Sequence, residues 1–335
     1  LFYLTPEGQD TRVSKAKFEI GRNFCTKLWN AARLVMQNLG GFQADVPAFE
    51  RGPEAVSPED RWILSRLEAT TRDATRALDE FRVNAALQAL YDFTWGDLCD
   101  WWLEIAKPRL YAADEASRRP AQAVAAHALE RVLRLLHPFI PFVTEELWRR
   151  LHAACGFAGD ASIMVAPWPA GDEGRIDAGV EARFALLTGL VREARNIRAH
   201  YGIPPGRAIS AQVTGAAESL ATVREGRELI SRLAKLDGLA IETGLKKPKG
   251  SAFAVVRDLE VHVPLAGLID IEVEKKRVQE RLASAEQSLA GTRAKLAAAG
   301  FSDRAPPEVV AKTRATEAEL AAQVASLRAS LQDLE

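Results

Sequence analysis

From Ile271 onward the hydrophobic residues of this chain are spaced for a helix–helix seam. Ile271, Val278, Leu282, Ala285, Leu289, Thr292 and Leu296 are separated by seven, four, three, four, three and four residues, the stepping of heptad a and d positions. The pattern breaks between Gly300 and Pro307 and resumes at Val309, Thr313, Thr316, Leu320, Val324, Leu327, Leu331 and Leu334. Each run predicts a helix of ~28 residues, roughly 40 Å long. A connection of about eight residues between two helices of equal length implies antiparallel pairing. Residues 268–335 therefore read as an antiparallel two-helix coiled coil. Its first helix carries Lys275, Lys276, Arg277, Arg281, Arg293 and Lys295 against four acids, and its second is mildly acidic. That asymmetry suits one helix facing a polyanion, and it equally suits ordinary charge pairing between the two helices.

The preceding chain divides by composition. Residues 1–13 are short and mixed, with a turn signal at Thr5-Pro6-Glu7-Gly8. Residues 14–155 predict a bundle of about five helices joined by short loops. Ser57-Pro58-Glu59-Asp60 is a helix start, with an N-cap serine, proline at the first helical position and acids in the first turn. The pattern restarts near Phe81-Arg82-Val83-Asn84 and runs through Trp101, Trp102 and Ile105 to Pro108. Further helices are expected over 121–136 and from Thr144-Glu145-Glu146 to about Leu151. Glycines and prolines mark 156–176 as a linker, with Trp168 anchoring it on the bundle. Residues 177–267 read as a small α+β domain: a helix over 179–200, strands over 209–213, 239–243, 252–256 and 259–264, and one helix over 229–236. Lys246-Lys247-Pro248-Lys249-Gly250 reads as a basic hairpin loop.

The opening helix, from about Ser14 to Gly40-Gly41, carries the most distinctive surface. Phe18, Phe24, Leu28, Ala32, Val35 and Leu39 are assigned to its apolar stripe, and Lys15, Arg22, Thr26, Asn30, Arg33 and Gln37 to the other side. Arg12, Lys15, Lys17, Arg22, Lys27 and Arg33 face one acid, Glu19, in a chain whose formal net charge is −1. A cationic helix face bearing amides and aromatics suits a polyanion whose bases are also read. The plain alternative is a solvated charged face.

Self-contained catalytic chemistry is missing from the motifs. There is no phosphate-binding G-x-x-x-x-G-K-[ST] or G-x-G-x-x-G, no G-x-S-x-G and no H-E-x-x-H. The five histidines (His127, His137, His152, His200, His262) are scattered and read as helix-end or surface residues. Glu145 and Glu146 are adjacent on a helix and point about 100° apart, so they cannot share a substrate. Trp101 and Trp102 are expected to give one ring to the core and one to a domain contact. Cys25, Cys99 and Cys155 are odd in number and unpaired by spacing, which argues for a reducing compartment and against a disulfide framework. No apolar run reaches the ~18–20 residues that span a bilayer. The first residue is Leu rather than Met, so the chain is expected to be a fragment or a processed product.

The stretch Gly21-Arg22-Asn23-Phe24-Cys25-Thr26-Lys27-Leu28-Trp29-Asn30-Ala31-Ala32-Arg33 closely resembles the valyl-tRNA synthetases. Asp60-Arg61-Trp62-Ile63-Leu64-Ser65-Arg66-Leu67 and the run from His137-Pro138-Phe139-Ile140-Pro141 to Trp148 resemble two further signatures of their anticodon-binding bundle, both shared with isoleucyl enzymes. Arg195-Asn196-Ile197-Arg198 with Ile203-Pro204-Pro205 resembles the next block, and the hairpin with Ala305-Pro306-Pro307-Glu308-Val309-Val310 resembles the family's tRNA-binding arm. The resemblance implies a mainly α chain: an anticodon-binding helix bundle, then a small α+β domain, then an antiparallel two-helix coiled coil. The HIGH and KMSKS-type signatures and the editing domain of the family are absent, Arg12-Val13-Ser14-Lys15-Ala16 being only a faint echo.

The family therefore implies a C-terminal, tRNA-gripping portion that is itself non-catalytic and binds no cofactor. A full-length parent would load valine on tRNA(Val) with ATP and Mg²⁺. The partners implied are tRNA(Val) and the parent's catalytic and editing domains, in a cytoplasmic monomer. The resemblance assigns Arg22, Asn23, Lys27, Asn30, Arg33 and Phe42 to the anticodon, with amides on base edges, arginines on phosphate or stacked, Lys27 on the backbone and Phe42 as a stacking platform. It assigns Lys276, Arg277, Arg281, Arg293 and Lys295 to the tRNA elbow. The competing classes are a free-standing RNA-binding protein and a helical scaffold built from the same domains.

Overall fold

A computed structural model describes residues 3, 14–44, 52–55, 57–156, 162–246, 248–298 and 307–333. The turn at Thr5–Gly8, most of the loop before Ser57, Lys247, the connection between the two C-terminal helices and Leu334 lie outside the described residues. Two compact units divide at Ala185/Leu186.

The first unit is helical. Helix α1 (Lys15–Gln37) is followed by α2 (Pro58–Asp79), α3 (Val83–Asp92), a π-helical segment over 93–102, α4 (Leu103–Leu110), α5 (Glu115–Leu136) and α6 (Pro141–Ala154). The α2 start is as expected: the Ser57 hydroxyl accepts from the Asp60 N–H at 3.2 Å, and Pro58 fills the first helical position. Its end is a Schellman turn, in which Arg82 N–H bonds Ala77 O at 2.7 Å and Phe81 N–H bonds Leu78 O at 2.9 Å. The left-handed position of that turn is held by Phe81 at φ 59°, where glycine is the usual occupant.

Three helix boundaries move from their expected places. Pro108 lies inside α4, which continues to Leu110. Helix α5 starts at Glu115, six residues before expectation, with Asp114 as N-cap and Pro120 in its second turn. Helix α6 starts at Pro141, so Glu145 and Glu146 sit in its second turn rather than at its mouth. A proline costs a helix one backbone bond, and packing outweighs that cost where the helix is buried, as α5 is from Ala121 to Leu136. Both Trp101 and Trp102 are buried.

The glycine- and proline-rich stretch is laid on the bundle as a strap. Trp168 Nε1 donates to Thr75 Oγ1 at 2.9 Å, Arg134 to Pro167 O at 3.1 Å, and Asp172 N–H to Glu68 Oε2 at 2.8 Å. Glu145 fastens the strap's start by accepting from Ser162 Oγ at 2.6 Å and Ile163 N–H at 3.1 Å. Helix α7 (Ala178–His200) begins in this unit, where Phe184 stacks on Trp62 with centroids 4.9 Å apart. The unit boundary therefore falls within α7 rather than in the 156–176 stretch.

The second unit holds a four-stranded sheet of β1 (Ile209–Gly215), β2 (Leu236–Ile241), β3 (Ser251–Val256) and β4 (Leu259–Pro264), in the order β2-β1-β4-β3. The β1–β2 pair is parallel, so it needs a crossover, and two short helices supply it: α8 (Ala217–Glu225) and α9 (Arg227–Ala234). The expected basic hairpin loop after β2 is instead a traverse from one sheet edge to the other, because β2 and β3 are the two edge strands. The true hairpin is β3–β4, turned by Arg257 and Asp258 with Arg257 at φ 57°.

Helices α10 (Ile271–Ala297) and α11 (Pro307–Asp333) form the antiparallel pair. Val278, Ala285 and Leu289 are buried with Val324 and Leu327. The second helix's seam runs Val310, Thr313, Glu317, Leu320, Val324, Leu327 and Leu331, in strict steps of three and four, while Val309 and Thr316 are exposed. The expected seam was thus off by one residue at Val309 and Thr316, while Thr313 and Leu320 stand on it as expected.

Candidate nucleic-acid interface

Helix α1 buries Phe24, Leu28, Ala31, Ala32 and Val35. Phe18, expected in the same stripe, is 58% exposed. Six residues of helix turn about 600°, so a residue six before Phe24 lies well off its face. Arg22, Asn23, Thr26, Asn30, Arg33 and Gln37 are exposed on the side away from the buried stripe. Arg22 to Arg33 spans roughly 16 Å along the helix axis at 1.5 Å per residue. Arg22 lies 4.0 Å from Glu19, and both side chains are largely in solvent, so the pair holds the arginine only weakly. Asn23, Asn30 and Arg33 make no side-chain hydrogen bond or ion pair among the described residues.

Lys27 differs from these. Its ammonium is paired with Asp100 and sits over the Trp95 ring, 4.2 Å from the centroid. Trp95 continues a stack through Tyr91 to Phe24, with centroids 5.7 and 4.9 Å apart. Lys27 is therefore held against the π-helical segment, at the edge of the face formed by Arg22, Asn30 and Arg33. Trp29 is half-buried, with the Arg150 guanidinium 5.1 Å above its ring. Phe42, half-buried after Gly41 at φ +75°, follows the helix end, and its N–H bonds Leu39 O at 2.9 Å.

One feature of this face was invisible in the sequence. The exposed side of α1 ends at Gln37 in a polar cleft of about 390 Å³ lined by Gln37, Asn38, Tyr111, Arg118 and Gln122. Tyr111 is exposed, and Gln122 is buried with its Nε2 donating to Asn38 O at 2.6 Å. The cleft joins α1 to the α4–α5 turn, more than seventy residues away, which no local pattern announces. A ring, amides and a guanidinium around one cleft are the groups that stack on and hydrogen-bond a nucleobase.

On the hairpin, Lys276, Arg277, Arg281, Arg293 and Lys295 are all exposed on α10. They are not equivalent. Arg293 is paired across the hairpin with Glu317 at 2.9 Å, and Arg277 is paired within its own helix with Glu274 at 2.7 Å. Lys276 and Arg281 make no ion pair or hydrogen bond among the described residues. Arg195 and Arg198 of α7 serve backbone instead: Arg195 donates to Leu233 O at 2.9 Å, and Arg198 to Ala234 O at 3.1 Å and Lys235 O at 3.3 Å, closing the C-terminus of α9.

Among the described residues no three His, Cys, Asp or Glu side chains converge as a metal site, and no helix is long and apolar enough to cross a membrane. Three histidines expected at helix ends or the surface, His127, His152 and His262, are buried. Burial and the Arg134 charge push His152 down to about 4, although Glu130 lies 4.0 Å away, because Arg134 already engages that carboxylate at 2.9 Å.

Comparison with known proteins places this geometry. Residues 60–213 match the anticodon-binding domain of tRNA ligases, and residues 270–335 match the valyl tRNA synthetase tRNA binding arm. The chain is 37% identical over 329 residues to the valine–tRNA ligase of Geobacter sulfurreducens, covering 98% of this chain and 36% of that protein. It is 37% identical over 339 residues to the enzyme of Fusobacterium nucleatum, covering 100% of this chain and 37% of the relative. It carries the tRNA-binding domains of the valine–tRNA ligase family. A third relative, from Symbiobacterium thermophilum, is 38% identical over 330 residues, with 94% and 36% covered. The chain thus spans little more than a third of the length of these relatives. Helix α1 lies before the matched anticodon-binding region, within the stretch aligned with whole relatives.

Proposed function

We propose that this chain is the tRNA-gripping portion of a valine–tRNA ligase and that its RNA is tRNA(Val). In this reading the outer face of α1 meets the anticodon, with Asn23 and Asn30 on base edges and Arg22 and Arg33 on phosphate or stacked on a base. Phe42 and the cleft at Tyr111 receive unstacked bases, each stacked base contributing roughly 1–3 kcal/mol. The hairpin reaches the tRNA elbow. The complete enzyme, with ATP and Mg²⁺ on domains outside this chain, joins valine to the tRNA as a cytoplasmic monomer.

The observation that carries the proposal is order. An anticodon-binding match and a valyl-type arm match follow one another in a single chain whose first helix presents an uncapped row of cations and amides to solvent. Filter binding of the chain to valine tRNA tests it. Replacing both Arg22 and Asn30 by alanine weakens binding; unchanged affinity removes the anticodon assignment from α1.

A further inference from the structure

The helical unit has two unlike ends. Gln122, near the start of α5, donates to Asn38 O just after α1, whereas Leu136, at the end of α5, lines a cavity with Gly21, Phe24 and Cys25 of α1. Helices α1 and α5 are therefore antiparallel. Helix α2 runs with α5: Glu68 lies 3.6 Å from Arg131, and further along Thr75 and Arg134 hold adjoining residues of the strap, Trp168 and Pro167. One end of the bundle thus gathers the starts of α1, α3 and α6 with the ends of α2 and α5. The other end holds the polar cleft at Gln37 and Tyr111.

The first end is apolar. Its cavity of about 200 Å³ has Phe18, Cys25, Leu87, Phe139 and Ile140 in its wall, and Lys17 is the one charged residue of the lining. At the same end three rings stand in solvent: Phe18 on α1, Phe81 between α2 and α3, and Phe142 in the first turn of α6, the last 91% exposed. Phe81 and Phe142 gain almost no burial from this fold, and Phe81 also holds a left-handed backbone that disfavours a phenylalanine. Aromatic rings kept in water around an apolar cavity, one of them on a strained backbone, mark a surface that another protein covers. RNA suits it poorly, because phosphates are held by rows of cations and this cavity offers one.

Tyr3 indicates which protein. Its ring stacks on Tyr91 with centroids 4.4 Å apart at the cavity, and its carbonyl accepts from Asn84 Nδ2 at 3.0 Å. Polypeptide joined ahead of Tyr3 is therefore delivered to this end of the bundle. The stretch aligned with this chain covers 36% and 37% of the first two relatives, so nearly two thirds of each lies outside it. A tethered domain acts at an effective concentration in the millimolar range, so a modest apolar surface, roughly 600–1,500 Å² for interfaces within one chain, is enough to hold it.

We propose that this apolar end is the docking surface for the domain that precedes this chain in its parent polypeptide, with Phe18, Phe81 and Phe142 covered by it and the cavity filled by its side chains. The proposal rests on the reading of this chain as part of a valine–tRNA ligase and names the surface that joins it to the remainder. It divides the bundle by function: the cleft end faces RNA and the apolar end faces protein.

Cys25 reports on it, because the half-buried thiol lines the cavity. Alkylation by N-ethylmaleimide, located by peptide mass mapping, is timed in this chain and in the longer parent polypeptide, with the buried Cys155 as the internal reference. Cys25 reacts about tenfold or more slowly in the parent, as the closed interface admits reagent only when it opens. Phe81→Gly with Phe142→Ser brings the parent's rate to within about threefold of the free chain's and leaves the free chain's own rate unchanged; circular dichroism checks that the helices persist. Protection that survives both substitutions overturns the assignment of these rings. Slowing that grows with the concentration of the free chain, with a dimer in sedimentation, gives the surface to a second copy and overturns the proposal. Equal rates in the two polypeptides also overturn it, and filter binding of the free chain to valine tRNA separates the two failures: binding retained removes only the docking surface, whereas binding lost removes the RNA-binding reading beneath it.

Discussion

Removing Arg109 should be far more damaging than its partly exposed position suggests. Asp60 is fully buried at the start of α2, and its two carboxylate oxygens accept from Arg109 at 2.7 and 2.6 Å. This bidentate pair ties α2 to the end of α4, and through them the bundle that supports α1. Arg109→Ala leaves a buried carboxylate without its counter-charge, a change that costs about 3–5 kcal/mol in comparable sites. Arg109 is itself a fifth exposed, so water reaches part of the gap and the lower end, about 3 kcal/mol, is expected. Asp60→Ala does less, about 1–2 kcal/mol, because the freed guanidinium can turn toward solvent. The double variant should cost clearly less than the sum of the two. Urea unfolding followed by tryptophan fluorescence measures all three. For a unit of 185 residues the single arginine variant should melt roughly 6–12 °C lower. A loss under 1 kcal/mol for Arg109→Ala, or strict additivity, would refute the claim that the buried carboxylate depends on this pair.

Two further outcomes follow from local chemistry. Phe81 is 87% exposed and held at φ 59°, so its ring contributes little burial while its backbone is strained; Phe81→Gly should stabilise the bundle by about 0.5–1 kcal/mol, read by urea titration, and a destabilisation would mean that the ring carries a packing role. His152 is neutral in the folded bundle, with its proton affinity pushed down to about 4 from 6.5, so the unfolded chain binds the extra proton first. Its contribution is whole above about pH 6.5 and is lost as pH falls toward 4, by at most about 3 kcal/mol. Stability of His152→Gln should fall less steeply across that window, and identical pH profiles would exclude the histidine as the cause.

What the sequence revealed, and what it hid, divides by range. The seam of α10, the cap at Ser57-Pro58 and the solvent face of α1 all follow from spacing within one element, and they stand where periodicity put them. Phe18 was misplaced by treating a step of six as same-face spacing. The α11 seam slipped by one residue because Val309 and Val310 are both apolar, and only the partner helix decides which is covered. Helix α8 buries just Leu220 and Val223, too few for a periodic signal, and the sheet order is set by pairings that no local pattern encodes. The site follows the same division. Arg22, Asn30 and Arg33 were legible as a face, whereas the Asp100 partner of Lys27 and the Tyr111 side of the cleft come from distant segments. The Glu317 partner of Arg293 lies on the other hairpin helix, so pairing and RNA contact looked alike in one dimension.

The central claim is that α1 reads an anticodon rather than merely attracting a polyanion. Charge alone holds any tRNA with similar strength, since phosphate contacts carry no sequence information. The most direct measurement is the affinity of the whole chain, at one fixed salt concentration, for valine tRNA and for the same tRNA with its anticodon replaced. The account predicts that the replacement weakens binding by tenfold or more, about 1.4 kcal/mol, and that Arg22→Ala with Asn30→Ala removes most of that difference. Equal affinity for the two RNAs would contradict it.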